Sequence, residues 1–105
     1  MINLIKKIFG IGPKVDFADL VKAGALIVDV RTPGEFKGGH PKGAINVPLD
    51  QIGLLQQKVK NKEQVIITCC ASGMRSATAK GILRSQGFAN VHNGGSWYNL
   101  RELKQ

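Results

Sequence analysis

Short apolar runs rich in β-branched residues alternate with helical segments along this chain, and that alternation leaves few architectures open to it. Leu26-Ile27-Val28-Asp29-Val30, Ala44-Ile45-Asn46-Val47 and Val65-Ile66-Ile67-Thr68 read as strands covered on both faces, with Asn90-Val91-His92 a weaker fourth. The helical pieces lie between them. Asp16 is a candidate N-cap for a helix that places Phe17, Leu20 and Val21 on one face and stops at Gly24. Ile52, Leu55 and Val59 share a face after Asp50; Ala79, Ile82 and Leu83 do so between Ser76 and Gln86, where Gly87 ends the pattern. Together these elements predict an α/β fold with a mainly parallel sheet, in which ligands bind at the carboxyl ends of the strands.

The 105 residues suffice for one domain, and an apolar fraction of 43% with 21% charged residues is that of an ordinary globular chain without repeats. The first twelve residues stand apart. Ile2, Leu4, Ile5, Ile8, Phe9 and Ile11 have roughly helical spacing with Lys6 and Lys7 between them, and Gly10, Gly12 and Pro13 close the stretch. Residues 1–12 therefore read as an amphipathic segment and residues 13–105 as the domain. The segment's apolar face is expected to pack on the domain, with a membrane surface or a partner protein as competing destinations. The early lysines and the lack of a bilayer-length apolar run lead us to expect a cytoplasmic protein.

Fifteen Lys and Arg against seven Asp and Glu give a net charge of +8, which favours anionic partners. The basic residues are scattered and no aromatic-rich RNA-binding signature accompanies them, so no nucleic-acid partner is expected.

Chemistry concentrates where the strand ending at Thr68 runs into Cys69-Cys70-Ala71-Ser72-Gly73-Met74-Arg75, directly before a helix. The cysteines are adjacent, so they close no useful loop, and His40 and His92 stand too isolated to complete a zinc site. A thiol becomes a strong nucleophile on ionisation, and a helix N-terminus and a neighbouring Arg both favour the thiolate; Cys70 has both in prospect. Gly73 allows successive N–H groups to point inward as an anion-binding nest, Ala71 and Ser72 are small enough to leave it open, and Arg75 offers planar donors to an oxyanion. The competing reading is two inert, buried strand-end cysteines.

The segment Cys70-Ala71-Ser72-Gly73-Met74-Arg75-Ser76 resembles the active-site loop of the rhodanese-like sulfurtransferases, Cys-x-x-Gly-x-Arg-Ser after an apolar strand. Two further stretches resemble that family in the right order: 26–36 continuing through Gly39-His40-Pro41-Lys42-Gly43-Ala44-Ile45-Asn46-Val47-Pro48, and Gly94-Gly95-Ser96-Trp97. The resemblance covers the chain from about Val15 onward. It implies a three-layer fold with a five-stranded, mainly parallel sheet flanked by helices. It further implies that Cys70, without a metal or organic cofactor, takes a sulfane sulfur from thiosulfate or a persulfide donor and passes it to cyanide or a thiol, a sulfur-relay protein included. Ala71, Ser72, Gly73, Met74 and Arg75 would then bind substrate, their amides facing the terminal sulfur and Arg75 orienting an anionic donor while keeping Cys70 ionised. Asp29, Arg31 and Glu35 are expected to be structural, the first two as partners at a buried strand end. His40 is expected to hydrogen-bond within its loop, and Trp97 to anchor the core.

Two alternatives accompany this reading. Counted from Cys69, the loop has the Cys-x5-Arg spacing of cysteine phosphatases and arsenate reductases, although Thr68 stands where many phosphatases carry His. A non-catalytic rhodanese-like binding module is the other. Cys69 could also trap a persulfide on Cys70, although a disulfide between neighbours is strained.

Overall fold

The computed structural model describes residues 15–103, so the amphipathic segment at 1–12 and the boundary after it lie outside the described residues. Asp16 caps α1 (Phe17–Lys22), its carboxylate accepting the Asp19 N–H at 3.2 Å, and Gly24 turns the chain out at φ 102°. β1 (Leu26–Asp29) follows, then α2 (Pro33–Lys37), which the hydrophobic periodicity does not signal. A capping box builds α2: the Thr32 hydroxyl accepts the Glu35 N–H at 3.2 Å, the Glu35 carboxylate accepts the Thr32 N–H at 3.0 Å, and Pro33 opens the helix. β2 is only Ile45–Asn46, and the helical stretch expected after Asp50 is a 3-10 helix, Leu49–Gln57. β3 (Ile66–Cys70), α3 (Met74–Ser85), β4 (Val91–Ser96) and a short 3-10 helix (Trp97–Leu100) complete the order.

The strands lie in the order β2-β1-β3-β4, every neighbouring pair parallel. Among the described residues the sheet has four strands, three at the apolar runs of the sequence and one at its weaker fourth candidate, rather than the five that the family resemblance implies. β3 is central and buried at every residue, and alternation along it sends successive side chains to opposite faces. Ile66 and Cys70 join Val28, Val30, Ile52, Leu55, Ala79, Leu83 and Phe88 on the side covered by α3 and the longer 3-10 helix. Ile67 and Cys69 join Val21, Ala25, Ile27 and Leu100 on the other, where Phe17 and Trp97 pack against them. This is the expected three-layer arrangement, and it separates the two cysteines.

β4 does not pair smoothly with β3. Thr68 lies opposite Asn93 but Cys70 opposite Ser96, so one extra residue bulges out of β4 around Gly94 and Gly95. Only glycine fits there: a Cβ on Gly94 would stand 2.8 Å from Ile67 Cγ2 and 2.9 Å from the Thr68 carbonyl, and Gly95 has φ 74°. The bulge brings the backbone of Gly95 against the turn that follows β3, within 3.4 Å of where a Gly73 Cβ would be.

Candidate active site at the turn from β3 into α3

Cys70 ends β3 and Met74 begins α3, so three residues make the turn. Gly73 is the N-cap of α3 in a left-handed conformation, φ 104° and ψ −9°, open to glycine at little cost. It has no side chain with which to cap the helix, and the sulfur of Cys70 takes that place. Sγ accepts the Gly73 N–H at 2.9 Å and the Ser76 N–H at 3.4 Å, with the Ser76 hydroxyl 3.5 Å away. Those amides are donors that a helix N-terminus otherwise leaves unmatched. Burial is the largest influence on the Cys70 thiol and opposes ionisation. The Ser76 hydroxyl and the amides of Ser76, Gly73 and Ser72 together outweigh it and bring the pKa below the ordinary thiol value.

Cys69 is the reverse case. It is wholly buried among apolar side chains on the other face, and that burial, with the Asp29 carboxylate nearby, pushes its thiol well above the usual value. A nucleophile at Cys69, which the phosphatase-like spacing requires, would have to ionise in the core, on the opposite side of the sheet from Cys70.

The Arg75 guanidinium does not stand free over the sulfur. Its Nη1 and Nη2 donate to Glu35 Oε1 and Oε2 at 2.7 and 3.0 Å, joining α3 to α2. Hydrogen bonding to Arg75, aided by the Thr32 amide, holds the Glu35 carboxyl down at about 2. Glu35 is therefore structural, as expected, but through a partner forty positions along the chain. Ala71, Ser72 and Met74 are exposed at the rim, Met74 with 79% of its surface, while Cys70 itself is covered.

Two residues without an assigned role in the sequence reading complete the floor. Ser76 is buried, and Asn93 of β4 reaches it across the bulge: the Ser76 hydroxyl lies 2.6 Å from Asn93 Oδ1, which also accepts the Gly95 N–H at 2.9 Å. Thr68 pins the same turn from below, its hydroxyl donating to the Ser76 carbonyl at 2.9 Å. The sequence holds a signal for Ser76, which occupies the third helical position after Gly73, where a capping group finds its amide. It holds none for Asn93, which depends on the bulge.

Asp29 and Arg31 form a buried pair with Nη2–Oδ2 at 2.7 Å; Arg31 also donates to the Gly39 carbonyl at 2.7 Å and lies 4.6 Å above the Trp97 ring. Trp97 thus anchors the core on the Cys69 side. His40 Nδ1 donates to the Phe36 carbonyl at 2.8 Å and its ring stacks on Phe36 at 3.7 Å, a role within its loop. Among the described residues no group of three or more His, Cys, Asp or Glu side chains could hold a metal ion, and no helix is long and apolar enough to cross a membrane.

A layered parallel sheet whose central strand delivers a cysteine sulfur to a helix N-terminus defines a class of α/β proteins that offer backbone donors to negative charge at that turn. The Rhodanese-like domain matches residues 14–99, and the chain belongs to that family. The thiosulfate sulfurtransferase PspE of Escherichia coli is 35% identical over 69 residues, covering 65% of this chain and 66% of PspE. The uncharacterized protein YqhL of Bacillus subtilis is 36% identical over 69 residues, covering 66% of this chain and 54% of that one. The chain thus spans between about half and two thirds of the length of these two relatives. Among solved structures, a rhodanese with anions from E. coli superposes with a TM-score of 0.69 at 31% identity, over 72% of this chain and 91% of the other.

Proposed function

We propose that this protein is a sulfurtransferase that carries a sulfane sulfur as a persulfide on Cys70. One observation supports this above the others: the Cys70 sulfur receives backbone amides from Gly73 and Ser76 at the start of α3. Donors fixed in that way stabilise negative charge on sulfur without reorganisation, which a thiolate nucleophile and a terminal persulfide both require.

In the first step the Cys70 thiolate attacks the outer sulfur of thiosulfate. The new Cys70 S–S bond forms as the donor's S–S bond breaks, and sulfite leaves with the electron pair, giving Cys70–S–S⁻. In the second step cyanide or a thiolate attacks the terminal sulfur and the Cys70 thiolate departs, restoring the starting state. A persulfide donor follows the same course with a thiolate as leaving group. In this reading the amides from Ala71 to Arg75 would receive the transferred sulfur, and Arg75 attracts the anionic donor while Glu35 fixes where its guanidinium sits. Cys70 is covered while Ala71 and Ser72 beside it are exposed, so the donor has to reach the sulfur past those two residues.

Thiocyanate formation from thiosulfate and cyanide tests the reading. Turnover is expected in the wild type and in Cys69→Ala, with none in Cys70→Ser. Turnover retained by Cys70→Ser overturns it.

A further inference from the structure

Ser76 has one hydroxyl proton and three neighbours that could receive it: Asn93 Oδ1 at 2.6 Å, the Gly73 carbonyl at 3.0 Å and, once ionised, Cys70 Sγ at 3.5 Å. The orientation of the Asn93 amide decides among them. Its Oδ1 accepts the Gly95 N–H at 2.9 Å and its Nδ2 donates to the Gly73 carbonyl at 3.3 Å, so the oxygen, not the nitrogen, faces Ser76. Two oxygens 2.6 Å apart require a proton between them, and Oδ1 has none to give. The Gly73 carbonyl is already served by the Ala77 N–H at 3.1 Å and by Asn93 itself.

The Ser76 proton therefore points at Asn93, and a lone pair of its oxygen faces Cys70. That arrangement suits a thiol, which can donate to Ser76, and gives a thiolate the two amides without the hydroxyl, whose proton would have to turn toward the sulfur. We propose that Asn93 is a positioning residue that holds the Ser76 hydroxyl proton away from Cys70, so that the hydroxyl supports the thiolate only when it leaves Asn93. The amides of Gly73 and Ser76 favour the thiolate, while Asn93 limits how far the hydroxyl adds to them. This sets the fraction of Cys70 that is reactive at a given pH. It rests on the reading of Cys70 as the nucleophile, and deepens it.

The charged groups around the site stay unchanged when Asn93 is replaced by an uncharged residue. They are Arg75 on α3 bridged to Glu35 on α2, the Asp29–Arg31 pair at the end of β1, and His92 of β4 beside Lys80 of α3, while Asp50 on the longer 3-10 helix is exposed. Cys69, on β3 itself, faces the other side of the sheet.

The test is a titration of the Cys70 thiolate by its ultraviolet absorbance, with each variant's Cys70→Ser counterpart subtracted. Asn93→Ala, and Asn93→Leu as the variant that keeps side-chain volume, are expected to lower the midpoint by about one pH unit, the worth of one hydrogen bond. The same replacements made in Ser76→Ala are expected to shift nothing, whereas a merely structural role for Asn93 would act in both backgrounds. An unchanged or raised midpoint in the single variants, or an equal shift in both backgrounds, overturns the proposal. The S–H stretching band of Cys70 in Cys69→Ala gives a reading with Asn93 in place. It should move to higher frequency when Ser76→Ala removes the acceptor, and an unmoved band contradicts the arrangement. Thiocyanate assays on the same proteins keep the readings apart: failure of sulfur transfer with the titration as expected rejects the enzyme and leaves the Asn93 role standing.

Discussion

Arg75 and Glu35 meet as two parallel hydrogen bonds, 2.7 and 3.0 Å long, and so tie the helix that starts at the candidate nucleophile to a helix formed forty residues earlier. The same carboxylate accepts the Thr32 N–H and the Thr32 hydroxyl at 3.0 and 3.1 Å, so one side chain both caps α2 and neutralises Arg75, whose charge interacts with Cys70. Glu35→Gln separates those tasks, because an amide oxygen still serves Thr32 but carries no charge. The pair is about one-third exposed, so stability should fall by about 1 kcal/mol or less in chemical denaturation. With Arg75 no longer neutralised, KM for thiosulfate should fall, and the difference should narrow with added salt. A KM that rises instead would mean that Arg75 attracts the donor only when Glu35 aims it.

Acidification weakens the same pair. The Glu35 carboxyl is held at about 2 in the folded protein, below the ~4.3 of an unfolded chain. A depressed carboxyl contributes stability that is present above the unfolded value and is lost as pH falls through the folded one. The stability gap between wild type and Glu35→Gln is therefore expected to be constant above about pH 5 and to close between there and pH 2. A gap that widens on acidification contradicts the bridge.

Two glycines of equal size should respond in opposite directions to alanine. Gly94 lies against Ile67, Leu100 and the Thr68 carbonyl, none more than 2.9 Å from an added Cβ. Gly94→Ala should therefore cost about 1–3 kcal/mol and disturb the bulge that presents Asn93 and Gly95 to the turn. Gly81, within α3, has nothing within 4 Å of an added Cβ. Gly81→Ala should stabilise by about 0.5–1 kcal/mol, since it only removes a helix-interior glycine. Urea denaturation of both variants reads the contrast.

The Asp29–Arg31 pair supplies a harsher test of the scaffold. Arg31 is 4% exposed and Asp29 wholly buried, so Arg31→Leu leaves a carboxylate in the core and is expected to cost about 3–5 kcal/mol. The double variant Asp29→Leu with Arg31→Leu should cost less than the sum of the single ones, as a double-mutant cycle would show.

How much of this was legible in the sequence follows the range of each interaction. The strands, α1 with its Asp16 cap and the Cys70–Gly73 turn stand out because residues within about one helical turn of one another determine them. α2 was legible in principle from Thr32-Pro33-Gly34-Glu35, a capping box with proline at the first helical position, although its apolar content gives no periodic signal. The stretch after Asp50 keeps Ile52 and Leu55 buried on one face but winds as a 3-10 helix from Pro48, with Gly53 in its middle. Period alone does not separate those two helices over so short a run. The contacts of Glu35 with Arg75 and of Ser76 with Asn93 join segments 40 and 17 residues apart, and each depends on a register that no local pattern encodes. The separation of Cys69 from Cys70, by contrast, is strand alternation, and was available once β3 was seen to extend through both.

That separation makes the sulfur that carries the persulfide directly measurable. Intact-protein mass spectrometry after incubation with thiosulfate, followed by peptide mapping, asks which sulfur carries the added atom. The wild type and Cys69→Ala should each gain the mass of one sulfur, mapped to Cys70 and released by cyanide, while Cys70→Ser should gain nothing. Added sulfur on Cys69, or on the Cys70→Ser protein, would contradict the assignment.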